Sequence, residues 1–147
     1  MPRRTQRYSK IGDTMKTIDL SGKWNYKTDI DNSQTIDSIK FENNNFNLPG
    51  STCDNKIGKK TEYFDKISKE AVRAPRERYE YIAPLWLQKT VSIPNDTDGK
   101  TVRLFMERVN IASELWIDGV KTDRQIIELS TPHIYNLTGK ITPGEHT

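Results

Sequence analysis

The sequence predicts an all-β chain folded as a β-sandwich or jelly roll, on three observations. Short runs of alternating apolar and polar residues recur at spacings of about ten residues, Pro and Gly punctuate them, and one run carries a compact hairpin signature. The length of 147 residues fits one domain. Leu, Ile, Val and Phe supply 32 of those residues, just above the ~20% level below which a highly charged chain stops folding. With a hydrophobic fraction of 33% and a mean hydropathy of −0.80, the core must be thin. A thin core suits a flat two-layer β structure, or a piece whose apolar face another domain completes.

The elements follow in chain order. Residues 1–15 are polar and basic, with Arg3, Arg4, Arg7 and Lys10, and read as a tail ahead of a domain over residues 16–147. In IDLSGKWNYKTD, Ser21-Gly22 makes a turn, and Trp24, Tyr26 and Thr28 then share a face at period two. Residues 29–45 are rich in Asp, Asn and Ser, which favour local turns over long elements. FNLPG is a short strand ended by Pro49-Gly50. Residues 59–78 carry a helical hint, because Tyr63, Ile67, Ala71 and Ala74 recur at helical spacing before Pro75.

From Tyr79 the β signal sharpens. In LWLQKTVSIP, Leu85, Leu87, Val91 and Ile93 alternate with polar or aromatic residues as one half-buried strand. NDTDGK is a turn, and TVRLFMERV sets Val102, Leu104 and Met106 against Arg103, Phe105 and Glu107. ELWIDGVKT is a hairpin, since Asp118-Gly119 tolerates the positive φ angles of a tight primed turn. HIYNLT gives one more strand, and PGEHT reads as a turn.

Several chemistries find no support. A net charge of +3 from 23 basic and 20 acidic residues is too balanced to imply a nucleic-acid surface. Apolar runs of three or four residues are too short for a membrane helix. The basic amino terminus lacks a signal-peptide apolar region, so the expected compartment is cytoplasmic, or periplasmic or secreted if a leader was removed. Cys53 is the one cysteine and reads as an incidental thiol. The glycines are dispersed, so no phosphate-binding or dinucleotide loop is built. Asp29, Asp31 and Ser33 start like a calcium loop, but Gln34 and Lys40 stand where that loop needs Gly and an acid; a solvated polar loop is expected. No cofactor or metal is expected. The carboxylates sit among basic neighbours rather than facing one another as a glycosidase acid/base pair.

The segments IDLSGKWNYKTD, FNLPGS, RYEYIAPLWLQKTVSIP, DGKTVRLFMERVNIASELWIDG and LSTPHIYNLTGKITPGEHT, in that order, resemble the amino-terminal sugar-binding domain of family 2 glycoside hydrolases. That family contains β-galactosidases, β-glucuronidases and β-mannosidases. The resemblance implies a jelly-roll sandwich like a galactose-binding domain, packed in the parent enzyme against an immunoglobulin-like domain and a TIM barrel that holds both catalytic glutamates. No residue of this chain matches those glutamates, so the domain itself is expected to be non-catalytic and to contact carbohydrate through loops near Glu80–Pro84 and Leu129–His133. Tyr79 and Tyr81 on the first loop and Ser130 and His133 on the second are the candidate substrate-binding residues. His133 either reaches the pocket rim or bonds its own turn.

The family usually places another strand after the PG turn, so the sandwich is expected to lack its last strand and to present an open edge, a template for pairing with a second copy. Trp24, Trp86 and Trp116 are readable as sugar-stacking platforms, but their positions within strands favour the core or a domain interface. A stand-alone carbohydrate-binding module and a self-associating interaction domain are the alternatives.

Overall fold

Alternation at period two organises the strands, and each strand finds an antiparallel partner. A computed structural model describes residues 15–61, 69 and 78–147, with backbone alone at 42–45. The described chain is all-β: β1 (Gly22–Thr28), β2 (Glu42–Leu48), β3 (Lys59–Lys60), β4 (Tyr79–Glu80), β5 (Leu85–Gln88), β6 (Val91–Ile93), β7 (Arg103–Met106), β8 (Ala112–Ser113), β9 (Trp116–Ile117), β10 (Val120–Lys121), β11 (Ile126–Ile127), β12 (His133–Asn136) and β13 (Gly144–His146). A sheet of order β2-β1-β5 is accompanied by the two-stranded ladders β12-β7, β13-β6, β11-β8, β10-β9 and β3-β4.

The β7–β12 ladder shows why the pattern works. Leu104 and Met106 are half-buried and Arg103 and Phe105 exposed, while His133 and Tyr135 are buried and Ile134 and Asn136 exposed. Pairing His133 with Met106 and Tyr135 with Leu104 places both inward sets on one face. Phe46, Ile57, Ile93, Tyr135 and Leu137 are the buried apolar side chains among the described residues, the thin core that composition required. Phe46 sits 6.0 Å from Tyr26 across the β1–β2 ladder, the rings inclined at 60°.

The structure corrects four expectations. The run from Leu85 to Ile93 is two strands in different sheets: β5 pairs with β1, and β6 pairs with β13. The break falls at Lys89, whose ammonium donates to the carbonyls of Leu20 (3.3 Å) and Ser21 (2.9 Å) and lies 5.5 Å from the Trp24 ring centroid. The Asn-rich stretch before Phe46 is strand from Glu42, held by the β1 ladder across a register irregularity between Trp24 and Tyr26. Ladder hydrogen bonds override the local turn preference there. PGEHT is not merely a turn, because Gly144–His146 pair with Val91–Ile93 as β13. At the amino-terminal edge of the predicted helix at 59–78, Lys59 and Lys60 form β3, which pairs with β4, and the Thr61 amide donates to the Arg78 carbonyl at 3.0 Å, while Lys69 inside the segment is helical. Tyr63, Ile67, Ala71, Ala74 and Pro75, which carried the helical spacing, lie outside the described residues, as does the tail up to residue 14.

The hairpin forms as expected. Ile117 pairs with Val120, and Asp118 and Gly119 adopt φ of 52° and 81°, the primed-turn geometry that matches strand twist. Replacing Gly119 with Val should cost about 1 kcal/mol or more, because a β-branched residue resists positive φ; urea denaturation measures it, and an unchanged midpoint would show that the turn tolerates the strain. Gly58, at φ 101°, is more constrained: a Cβ there would run into the Glu80 carbonyl and approach Tyr81 Cβ to 2.9 Å. Gly58→Ala is therefore expected to lose about 2 kcal/mol or more, and a smaller loss than that of Gly119→Val would contradict the close approach.

Candidate functional site

Two polar nodes organise the described residues that the sequence marked for function. The first is built on Asp29, at the end of β1, whose residue is 3% exposed. The chain turns immediately after it: the Asn32 amide donates to the Asp29 carbonyl at 3.1 Å, with Asn32 at φ 50°. Asn accepts that left-handed conformation more readily than most residues. The turn swings the next amides onto the carboxylate. Ser33 N–H donates to Oδ1 at 2.8 Å, Gln34 N–H reaches both oxygens at 3.3 Å, and the Trp86 indole N–H donates to Oδ2 at 3.2 Å. Burial opposes the charge, but these donors overcome it and hold the carboxyl below its ordinary value of 3.8. Asp29 is a satisfied anion, not an acid poised to donate a proton.

Tyr81 completes this node. The Asp29 amide donates both to the Pro84 carbonyl (3.1 Å) and to the Tyr81 hydroxyl (2.9 Å), and that hydroxyl donates to the Pro84 carbonyl at 2.6 Å. Burial pushes the phenol above its ordinary value, so it stays a donor. The Tyr81–Pro84 loop is thus stapled to β1, while Ile82 at its tip is 88% exposed.

The second node is buried beneath β12. His133 is 0% and Tyr135 1% exposed. His133 Nε2 lies 3.1 Å from the Glu128 carbonyl, so Nε2 carries a proton. In the neutral ring Nδ1 then accepts from the Ser113 hydroxyl at 2.6 Å. The Tyr135 hydroxyl donates to the Ser113 carbonyl at 2.7 Å and lies 3.0 Å from Ser113 Oγ. A serine bonded to an imidazole is the geometry of an activated nucleophile, but here the ring is sealed and its second nitrogen is bound to backbone. The cluster works as a strut joining β8 to β12.

The structure brings Tyr81 to Asp29 and leaves the other predicted residues apart from that node. Tyr79 is half-buried in β4 opposite Lys60, and Ser130 is exposed. His133 points into the interior, so the reading that survives is the bond to its own connecting segment. Trp86 and Trp116, both half-buried, pack together at 4.9 Å and 39°. Lys121 lies 5.5 Å from the Trp116 centroid and pairs with Glu114 at 2.8 Å.

Sequence reasoning placed Asp29 in a solvated polar loop, whereas the residue is buried, and it did not single out Ser113. Asn32 was the available signal for the first, since Asp three residues before an Asn in a polar run suits a capped turn. Ser113 has no local signal, because its partners lie 20 and 22 residues away. Among the described residues no group of three His, Cys, Asp or Glu side chains is placed to hold a metal ion. No protein-family model and no curated protein matches this chain.

Tyr81→Phe should lose about 1 kcal/mol, because it removes a hydroxyl that both accepts and donates. Tyr135→Phe should lose about 1–2 kcal/mol, since it leaves the half-buried Ser113 carbonyl without that donor. Chemical denaturation reads both, and a Tyr135→Phe chain as stable as the wild type would show the strut to be dispensable.

Proposed function

We propose that the chain is a non-catalytic scaffolding and carbohydrate-contacting domain of a family 2 glycoside hydrolase, with a jelly-roll sandwich as its complete fold. The parent reaction is hydrolysis of O-glycosidic bonds, of β-galactosidase type, performed by a TIM barrel. The domain supports that barrel and lends it loops.

The observation that carries this reading is the two-sided apolar character of the β7–β12 ladder. Its inner face holds Leu104, Met106 and Tyr135; its outer face carries Phe105 and Ile134, which are cross-strand partners and are 58% and 48% exposed. A strand pair apolar on both faces is built to be covered on both. Ile82 and Leu129, in the two loops the resemblance assigns to the sugar rim, are 88% and 70% exposed, so each loop offers an apolar contact to a neighbour. Burying such a side chain contributes about 1.5–3 kcal/mol, which a packed partner domain supplies and water does not. The same surface favours self-association as the second reading.

Calorimetric titration of the 147-residue chain with galactosides, glucuronides and mannosides should give no appreciable binding; tight binding would replace this reading with a stand-alone carbohydrate-binding module. Light scattering distinguishes the self-associating alternative by a mass that rises with concentration. The double variant Phe105→Ser, Ile134→Ser should leave the melting temperature of the isolated chain within about 2 °C of wild type, because solvated side chains contribute little. In the full-length enzyme it should lower that temperature by several degrees. Glycoside turnover by the isolated chain, abolished when one of its own acidic residues is replaced, would overturn the proposal.

A further inference from the structure

Outside both nodes, His146 in β13 meets the hairpin turn between β9 and β10. Its Nδ1 lies 2.6 Å from Asp118 Oδ2, and its Nε2 lies 2.8 Å from the Thr142 carbonyl and 3.5 Å from Thr142 Oγ1. A carboxylate and a carbonyl both accept, so both ring nitrogens must donate. An imidazolium satisfies both contacts; either neutral tautomer satisfies one. Asp118 then holds Thr147 through two further bonds. Its Oδ1 accepts from the Thr147 amide at 2.9 Å, and its own amide donates to the Thr147 carbonyl at 2.7 Å. The Asp118 backbone reaches this position because the residue sits at φ 52° in the primed turn.

We propose that the His146–Asp118 pair is a proton-operated clasp that fastens β13 and Thr147 to the β9–β10 hairpin when the imidazole is charged, and loosens them when it is neutral. Among the described residues Asp118 is the charged group facing the ring from the hairpin. On the other flank β6 pairs Val91 with His146, and Thr90 meets Thr147 through their hydroxyls at 3.1 Å; neither residue titrates. Glu145 alternates to the opposite side of the strand and pairs with Ser92.

The direction of each shift sets the working range. The Asp118 bond, followed by that to the Thr142 carbonyl, raises the His146 pKa above its ordinary value of 6.5. Its contribution is therefore complete below pH 6.5 and disappears as the pH climbs through the higher folded value. The Thr147 amide and then His146 lower the Asp118 pKa from 3.8. That contribution is complete above 3.8 and disappears as the pH falls through the lower folded value. The clasp is tightest between the two ordinary values and opens first on the alkaline side.

The test follows the His146 ring by NMR in the intact chain, its signals identified by their loss in His146→Gln. The midpoint is expected above 6.5 and should fall back toward 6.5 in Asp118→Asn, a variant that tolerates the left-handed backbone. Amide-exchange protection of Glu145 and Thr147, corrected for the intrinsic pH dependence of exchange, should drop several-fold across the wild-type midpoint. In His146→Gln it should be flat between pH 5 and 8, which keeps the proposal open to refutation if Asp118→Asn does not fold. A wild-type midpoint at or below 6.5, a midpoint indifferent to Asp118→Asn, or protection that ignores the titration would overturn it.

Discussion

A buried polar group is tolerated where it finds a partner, and this chain, short of aliphatic side chains, makes that constraint its organising device. Asp29 and His133 are the buried polar residues among those described, and each is fully engaged. Leaving such a group unpaired costs more than the bond itself yields. The polar nodes therefore specify one arrangement more sharply than a larger, purely apolar core would.

The two nodes act on different parts of the fold. Asp29 takes amides from its own turn and an indole from β5, while its backbone amide binds the Tyr81–Pro84 loop. One residue thus sets where β1 ends and where a candidate rim loop begins. The Ser113–His133–Tyr135 strut joins β8 and β12 without the exposure that chemistry on a ligand needs. The same cluster ties down the start of the Leu129–His133 loop, because His133 Nε2 is bonded to the Glu128 carbonyl just before it. Both candidate loops are anchored by these bonds, and each carries an exposed apolar side chain, Ile82 in one and Leu129 in the other.

The legible parts of the fold were those decided by neighbours in sequence. Leu104 and Met106 against Arg103 and Phe105 gave β7 its faces, and Asp118-Gly119 gave the hairpin its turn. Less visible was the transfer of the chain between sheets at Lys89, because the carbonyls that draw Lys89 aside belong to Leu20 and Ser21, nearly seventy residues earlier. Strand formation through the Asn-rich approach to Phe46 was hidden for the same reason: β1 supplies its hydrogen bonds. Of the four predicted site residues, Tyr81 joins a built cluster, while His133 is drawn inward by partners that no spacing reveals.

By itself, the sequence determined that this is a β chain with a thin core, where its alternating runs lie, and how its hairpin turns, because period-two patterning and positive-φ residues act over a few positions. Tertiary structure alone decided that Asp29 is a buried anchor rather than a solvated loop residue, that His133 is a strut, and that His146 closes onto Asp118. Each of those outcomes depends on a donor or acceptor brought in from a distant segment, and burial raises the cost of leaving it unmet.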